Sequence, residues 1–359
     1  MLLTSTRHEV DADITRFAEI AAERGWGDGL PLVPPTPARV ERYVLASGRE
    51  PDTVIGQVPP LRGDCTVERL ATNAVMAGAP ADAMPLLVAA IEALLEPDFD
   101  LAALNSTTAA VAPALIVNGP VRHRLGVAFG ASCIGGADGS NASIGRALRL
   151  VLRNVGGLRA GSTTQSVFGQ PARTTGIVFG EWEERSPWAP LAERRGVTGD
   201  AVTVFGAMGT MNIIDLESDT ADLLLQQIGR ALANPGANGF FSRIAFAEIV
   251  VGINPIWAEI IGRRYSDIAD VEYKIWDEAA LPLELWPPIR QEAFIEAGRV
   301  SADGRVHLMR EGNIRLLVVV CGGLGGHHAL GLHDFGSSSA VTRAVTGPLN
   351  QPGTAPGAR

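Results

Sequence analysis

Short aliphatic runs alternate along this chain with segments of helical periodicity. The runs with the composition of buried strands are Ala114 to Asn118, Ala201 to Phe205, Ile244 to Ile253 and Leu316 to Val320. Between them, segments such as 143–155 and 218–233 carry apolar residues at helical spacing. This alternation predicts an α/β fold, built of mixed-sheet layers with helices. Because ligands of α/β folds usually bind beyond the carboxyl ends of strands, the loops after the strands are the places to look for a site.

The chain of 359 residues is long for one core, which suggests two closely packed subdomains or one large α/β domain. We predict an amino-terminal α/β subdomain over 1–195 and a carboxy-terminal one over 196–347. The last residues, 348–359, are rich in Pro and Gly, which predicts a disordered tail.

A faint internal repeat suggests that the two subdomains are related. The strand endings Val117-Asn-Gly-Pro and Val251-Gly-Ile-Asn-Pro are similar, and Ile-Gly-Arg-Ala-Leu occurs at Ile144 to Leu148 and again at Ile228 to Leu232. Chance recurrence in a chain rich in Ala and Gly is the alternative to duplication.

Composition excludes several classes of function. The net charge is −9, so the chain has no broad electrostatic surface for nucleic acid or for an anionic membrane. No apolar run reaches the roughly 18 residues of a spanning helix, and Met1 to Asp11 lacks the pattern of a signal peptide. The three cysteines are far apart and form no disulfide framework. We therefore expect a cytoplasmic protein that assembles as a homo-oligomer.

The first candidate site follows the last aliphatic run, where the sequence is Cys321-Gly-Gly-Leu-Gly-Gly-His327-His328. The glycines let the backbone turn tightly and approach a ligand, and either histidine could serve as general acid or base. Cys321 is a nucleophile if an imidazole activates it, and an inert core residue if none does. A metal bound by His327, His328 and His333 is the alternative, and we predict no other cofactor.

The second candidate is the glycine-rich loop from Gly130 to Asn141, which contains Cys133 and leads into a helix. Unpaired amides at a helix amino terminus favour an anion, which Asn141, Ser143 and Arg146 would help to hold. Arg146, Arg149 and Arg153 share one side of that helix. The alternative is a capped surface helix with solvated arginines.

Further polar residues could line a pocket. Asp28 lies between glycines in a Gly- and Pro-rich turn, where it is either catalytic or part of an Asx turn. Glu68 is a candidate catalytic carboxylate, and its position three residues after Cys65 also fits a capping box. The other candidates for substrate binding are Asn73, Ser106, Thr107, Thr108 and Asn118.

One long segment, Gly25-Trp-Gly-Asp-Gly-Leu-Pro-Leu-Val-Pro-Pro-Thr36, carries a resemblance to a known family. The chain resembles bacterial proteins that share this segment and occur fused to, or beside, a small domain named for its UGSC (selenocysteine-Gly-Ser-Cys) motif. The resemblance continues in the segments Thr66 to Gly78, Ile116 to Pro120, Asn141 to Arg149, Arg153 to Gly157, Gly169 to Pro171 and Ser186 to Trp188.

The resemblance implies thiol or reductive chemistry, because the UGSC domain is similar to subunits of amino-acid reductases. This chain contains no Cys-Gly-Ser-Cys, so that domain is absent from it. The loop at Cys133 also departs from the family pattern, a Gly-Pro-Gly ahead of Arg-Ala-Asn, and has Gly-Gly-Ala-Asp-Gly-Ser-Asn141 instead.

These observations favour an enzyme, of lyase or hydrolase type, that acts on a small anionic metabolite. His327 or His328 would be the acid or base, and Arg146 with the loop amides would hold the anion. A metal enzyme and a non-catalytic partner of a thiol or seleno reductase are the alternatives. The leading hypothesis requires Cys321 to His328, Gly130 to Arg146 and Trp26 to Pro31 to face one pocket.

Overall fold

A computed structural model describes residues 3–10, 13–136, 138–241, 248–310, 312–336 and 338–348. The strands are β1 (Val54–Val58), β2 (Gly63–Thr66), β3 (Ala112–Asn118), β4 (Ile177–Gly180), β5 (Ala201–Ala207), β6 (Met211–Ile214), β7 (Ile249–Ile253), β8 (Ala280–Pro282), β9 (Arg305–His307), β10 (Leu316–Val320), β11 (His328–His333) and β12 (Val341–Ala344). The α-helices are α1 (Ile14–Glu23), α2 (Pro37–Ser47), α3 (Val67–Ala77), α4 (Met84–Leu94), α5 (Leu101–Ser106), α6 (Val121–Arg124), α7 (Asn141–Asn154), α8 (Ala172–Thr175), α9 (Leu191–Arg194), α10 (Ala221–Leu232), α11 (Pro255–Arg264), α12 (Ile268–Glu278) and α13 (Pro288–Glu296). Short 3₁₀ helices lie at Ala81–Ala83, Pro97–Phe99, Glu183–Arg185, Asn238–Phe240 and Leu283–Leu285. This mixture of helices and strands confirms the α/β class.

Two four-stranded sheets have the same plan. The first sheet has the order β12-β5-β3-β4, and the second has the order β10-β7-β11-β6. In each sheet one pair is parallel, β3 with β4 and β7 with β10, and the next two pairings are antiparallel. The two sheets therefore share one arrangement of strands, with the parallel pair at one edge of each.

The sheets pack face to face, and helices cover their outer faces. Alternate residues of β3 point to opposite sides: Ala114 and Ile116 pack between the sheets with Val319 of β10, whereas Leu115 and Val117 pack against the helices. Helices α3, α4 and α7 cover the first sheet, and α10, α11 and α12 cover the second. The molecule thus has four layers, in the order helix, sheet, sheet, helix.

The first sheet takes two strands from the carboxy-terminal half of the chain. Strand β5 lies in the first sheet, and the chain then passes into β6 of the second sheet. After β11 of the second sheet the chain returns, and β12 pairs with β5 in the first. A boundary at residue 195 would separate β5 and β12 from the sheet that they complete. Apart from Pro348, the predicted tail lies outside the described residues.

The two similar strand endings occupy matching positions. Val117 pairs with Gly180 and Val202, and Ile253 pairs in the same manner with Val320 and Ala329. Asn118 and Asn254, which follow, are therefore equivalent. The two copies of the repeated pentapeptide do not occupy equivalent positions, because α7 lies between β3 and β4, whereas α10 precedes β7.

Close helix packing explains the pentapeptide instead. A Cβ on Gly145 would meet the carbonyl oxygen of Thr175, and one on Gly229 would lie 2.5 Å from that of Ile275 and 2.7 Å from Cβ of Glu278. Each glycine lets a neighbouring segment approach the helix at a distance that no side chain permits.

Gly229→Ala is accordingly expected to lower the free energy of unfolding, because α10 must move away from α12, at a cost of about 1–3 kcal/mol. The gain of about 1 kcal/mol in helix propensity offsets only part of that cost. Urea denaturation measures the change. Gly325→Ala is the control, since its Cβ would meet nothing within 4 Å. Equal stability of both variants would show that α10 is free to adjust.

Several boundaries differ from those predicted. Strand β10 matches its prediction, and β7 begins at Ile249, with 244–247 outside the described residues. Helix α3 begins at Val67 and not at Cys65, because the Thr66 side chain caps it by accepting from the Arg69 amide. The capping box with Cys65 is therefore wrong. Within the described residues, no helix combines the length and the apolar character needed to cross a bilayer.

Candidate functional site

The carboxyl ends of the two parallel pairs meet where the sheets face each other. Glu181 directly follows β4, and Cys321 holds the matching place after β10. Their amides donate equivalent hydrogen bonds, to Val117 O at 3.1 Å and to Ile253 O at 3.0 Å. The Trp182 amide donates to Val320 O at 2.6 Å, which ties the two strand ends together. Two halves of the fold thus contribute one polar residue each to a shared junction.

Cys133 joins this junction from the glycine-rich loop. Cys133 and Cys321 are both buried, with exposed fractions of 4% and 5%, and their side chains are hydrogen-bonded to each other. The Ile134 amide also donates to the Cys133 sulfur. The Gly322 amide donates to Phe129 O at 2.9 Å, and this hydrogen bond fixes the loop against the end of β10. Both cysteines are candidate site residues in the sequence, and the fold brings them together.

The environments of the two thiols differ. The hydrogen bond from Cys321 lowers the pKa of Cys133, burial opposes that shift, and backbone amides beside the sulfur add to it. For Cys321 the Cys133 sulfur, burial and the charge of Glu181 all act in the same direction and raise the pKa well above its usual value. Of the two thiols, Cys133 is therefore the one that loses its proton first.

Glu181 completes the group. Burial raises the pKa of Glu181 to about 7, against hydrogen bonds from the Asn118 side chain at 2.7 Å and the Leu191 amide at 2.8 Å. The Oδ1 atom of Asn118 is buried without a hydrogen-bond partner among the described residues. A carboxyl group that titrates near neutrality beside two thiols is suited to proton transfer.

A buried arginine braces this end of the first sheet. Arg122 is 2% exposed and donates to the carbonyl oxygens of Gly119, at 3.0 Å, and Glu181. It also forms ion pairs with Glu183 at 3.0 Å and with Glu184 at 2.9 Å. The guanidinium therefore fixes the backbone that positions Glu181.

A cavity of about 260 Å³ lies beside the loop of Cys133. Its lining residues are Ile134, Gly135, Asn141, Ala142, Gln170, Pro171, Ala172, Thr175, Gly176, Ile177, Val178 and Thr210. Asn141 supports the loop, since its side chain accepts from the Ala128 amide at 2.8 Å and donates to Val178 O at 2.7 Å and Cys133 O at 3.2 Å. The predicted role of Asn141 in substrate binding stays a prediction.

No protein-family model and no curated protein sequence matches this chain. The chemistry open to the site is therefore argued from its own groups, which are two thiols with oppositely shifted pKa values and a carboxyl group at the junction of two sheets.

The histidines lie elsewhere. His327 and His328 are exposed, and His328 begins β11, whereas His333 ends it. Five residues of extended strand separate the two by about 17 Å, so they cannot bind one metal ion. Among the described residues there is no group of three side chains suited to holding a metal. The three-histidine metal site is therefore wrong.

His333 instead lines a second cavity, of about 210 Å³, together with Asp334. Burial lowers the pKa of His333 to about 4 and raises that of Asp334 to about 8. Asp334 accepts a hydrogen bond from the Glu248 amide at 2.9 Å. Both side chains are thus neutral near pH 7.

The other predicted acids stabilise local structure. Asp28 forms a two-pronged pair with Arg146, with both distances 2.8 Å. Burial would raise the pKa of Asp28, but Arg146 lowers it. Glu68 accepts from the amides of Thr4 at 2.9 Å and Ser5 at 3.0 Å. Asn73 accepts from the Asn154 side chain at 2.8 Å.

The predicted hydroxyl groups mostly satisfy backbone. Ser106 donates to Ala102 O at 2.9 Å, Thr107 accepts from the Ala109 amide at 3.1 Å, and Ser143 donates to Ser140 O at 2.9 Å. Thr108 is exposed. The predicted roles of these hydroxyl groups in substrate binding stay predictions.

The prediction that three segments share one pocket is wrong for the described residues. Cys321 to Gly323 contacts the loop of Cys133, and Asp28 contacts Arg146. The turn at Trp26, however, follows α7 to its far end, where Asn154 donates to Trp26 O at 2.9 Å. Neither Cys321 to His328 nor Trp26 to Pro31 lines the cavity beside Cys133.

Glu181 and Arg122 are two residues of the site that were not predicted from the sequence. Glu181 follows a strand of four residues, Ile177–Gly180, which is too short for a periodicity to emerge. One signal existed, since a run of carboxylates, Glu181, Glu183 and Glu184, follows that aliphatic segment directly.

Proposed function

We propose that this protein is an enzyme that acts on a small anionic metabolite, and that Cys133 and Cys321 carry its chemistry. The observation that supports the proposal is the contact between two thiols whose pKa values are shifted in opposite directions. Titratable groups that diverge in this way act as base and acid in enzyme sites. In the proposed roles Cys133 is the base and Cys321 is the acid.

The proposed reaction is an elimination, of lyase type. The Cys133 thiolate takes a proton from the carbon next to a substrate carboxylate, and the electron pair of that C–H bond forms the new double bond. The leaving group, such as a hydroxyl, departs with the proton of Cys321. A proton then passes from Cys133 to Cys321 along their hydrogen bond, which restores the starting state.

Two features favour elimination over acyl transfer, the hydrolase alternative. Acyl transfer needs amide donors directed at an oxyanion, whereas the Ile134 amide is directed at the Cys133 sulfur and the Gly322 amide donates to Phe129 O. The cavity next to Ile134, about 260 Å³, is below the 300–1,000 Å³ of drug-sized sites. It suits a metabolite of few atoms, and Ile134 and Gly135 of the loop that carries Cys133 line it.

The same thiol contact supports a second candidate, a thiol partner of a reductase-type protein. In this role the disulfide of a partner oxidises Cys133 and Cys321 to a disulfide, and the partner becomes a dithiol. Intact mass spectrometry after incubation with oxidised dithiothreitol separates the two candidates. Loss of two hydrogens with no turnover would favour the partner role, and turnover with both thiols intact would favour the lyase.

Titration of thiolate absorbance tests the proposed enzyme directly. We expect one thiol to ionise below the usual range of cysteine, which lies near pH 8.5, and to disappear in Cys133→Ser. Cys321→Ala should raise the pKa of Cys133, because it removes the hydrogen bond that lowers it most. Cys65→Ser is the matched control, since burial alone raises the pKa of Cys65 to about 12.

Hydrogen exchange gives the catalytic measurement. The protein is incubated in D₂O with a panel of hydroxy- and dicarboxylates, and proton NMR follows loss of the C–H signal next to the carboxylate. Wild-type protein and Cys65→Ser should exchange a member of the panel, and Cys133→Ser should lose at least a hundredfold in rate, as removal of a general base does. Normal ionisation of Cys133 would refute the proposal whatever the panel contains.

A further inference from the structure

One side of α7 carries more positive charge than its neighbours neutralise. Arg146 is fully occupied, since it pairs with Asp28 and donates to Pro31 O at 2.9 Å. Arg149 and Arg153 follow on the same side of the helix. The charge of Asp28 acts on Arg153, but the two oxygens of Asp28 are already bound to Arg146.

Arg153 and Arg159 form the first unneutralised pair. Nε of Arg153 and Nη1 of Arg159 are buried and have no hydrogen-bond partner among the described residues. Burial lowers the pKa of Arg153, and the positive charge of Arg159 lowers it further. The backbone of Arg159 is fixed by a turn, because its carbonyl oxygen accepts from the amides of Thr163 at 3.0 Å and Thr164 at 3.1 Å.

Arg149 and Arg173 form the second pair. Arg149 is 8% exposed, and its Nε donates to the carbonyl oxygen of Arg173 at 2.8 Å. Burial lowers the pKa of Arg149 to about 9, and the charge of Arg173 adds to that shift. Arg173 donates to the Thr164 hydroxyl at 2.9 Å, so Thr164 connects this pair to the turn that holds Arg159.

Neighbouring cations repel one another, and burial removes part of their hydration. An opposite charge offsets both of these unfavourable contributions to the free energy. We propose that Arg149, Arg153, Arg159 and Arg173, here called the arginine cluster, bind a doubly charged oxyanion, either a phosphoryl group or a dicarboxylate. A planar guanidinium matches both, since it can donate two parallel hydrogen bonds to one oxyanion. A phosphate monoester brings about 1.5 to 2 negative charges at pH 7.

The arginine cluster is separate from the thiol pair. Asn141 supports the loop of Cys133, and Arg153 lies about 18 Å farther along α7, at 1.5 Å per residue. The cluster is also distinct from the predicted anion site at Arg146, whose side chain holds the Asp28 turn. The inference therefore goes beyond the proposed function and does not depend on it.

Isothermal titration calorimetry tests the inference with inorganic phosphate and with succinate, against sodium chloride at equal ionic strength. We expect Arg153→Gln and Arg159→Gln each to weaken binding about tenfold to a hundredfold, the value of a hydrogen bond to a charged group. Arg263→Gln is the control, because it removes the same charge from an exposed pair with Glu259. Tighter phosphate binding identifies a phosphoryl site, and tighter succinate binding identifies a dicarboxylate site.

Thermal stability gives a second measurement that a structural role would not reproduce. Without an added anion, Arg159→Gln should melt at or above the wild-type temperature, because the variant loses a repulsion. With the anion only the wild type should gain stability, by mass action. Responses equal to those in sodium chloride, or binding unchanged in Arg153→Gln and Arg159→Gln, would overturn the inference. Cys133→Ser should bind the anion normally, so failure of this test and failure of the proposed lyase are distinguishable.

Discussion

Replacement of Asp334 by asparagine is expected to flatten the dependence of stability on pH. Burial raises the pKa of Asp334 to about 8 in the folded protein, from 3.8 for the free group. Below pH 4 the carboxyl group is protonated in both states, so its burial carries no charge penalty. As the pH rises from 4 to 8, the unfolded chain releases the proton and the folded chain retains it, so stability falls. Above pH 8 the loss is complete.

Between pH 4 and pH 9 we expect this group to lower the free energy of unfolding of the wild-type protein by on the order of 3–5 kcal/mol. Asp334→Asn should not show this decrease. Asparagine keeps an acceptor for the Glu248 amide, so the two proteins should be equally stable at pH 4. Urea denaturation at a series of pH values measures the difference. Asp52→Asn, at an exposed position, is the control and should follow the wild type. Parallel curves for Asp334→Asn and wild type would contradict a protonated Asp334.

Arg122→Met should produce the second large effect, a loss of about 2–4 kcal/mol in the free energy of unfolding. The variant leaves the carbonyl oxygens of Gly119 and Glu181 without a donor, and it leaves Glu183 and Glu184 without their cation. Removal of one partner from a buried ionic network costs more than the network contributes, because the remaining groups stay desolvated.

Two further variants make this test specific. Arg122→Lys should recover only part of the loss, because an ammonium group cannot serve two carbonyl oxygens and two carboxylates in the geometry of the guanidinium fork. Arg263→Met breaks an exposed pair and should change stability by less than about 1 kcal/mol. Full recovery by lysine would mean that charge alone, and not the fork, is what Arg122 supplies.

The sequence revealed the buried strands best where burial on both faces demanded aliphatic residues. β10 matched its prediction because every one of its residues is buried. β11 was missed, although Ala329-Leu330-Gly331-Leu332 is apolar, because the glycines before it suggested a long loop. That error placed His327 and His328 at a strand end facing an active site, whereas they lie in and just after an exposed turn.

The site itself could be predicted only in pieces. Cys133 and Cys321 were each recognisable beside glycines, but the local sequence around them does not predict that two loops so far apart in the chain are in contact. Their contact depends on the face-to-face packing of the sheets, which is set by apolar residues such as Ile116 and Val319 that carry no chemistry. Arg149 and Arg153 were visible on one side of a helix, whereas Arg159 and Arg173 reach them through a turn that periodicity cannot reveal.

The return of β12 to the first sheet has a consequence for synthesis on the ribosome. β5 is translated before β6, β7, β10 and β11 of the second sheet, and β12 only after them, so the edge of β5 stays unpaired while the whole second sheet is made. An unpaired edge is a template for pairing with other chains, and partly folded chains with such edges are prone to aggregate. A chain cut anywhere between β5 and β12 leaves that edge open, so truncation in the second sheet exposes the first sheet as well.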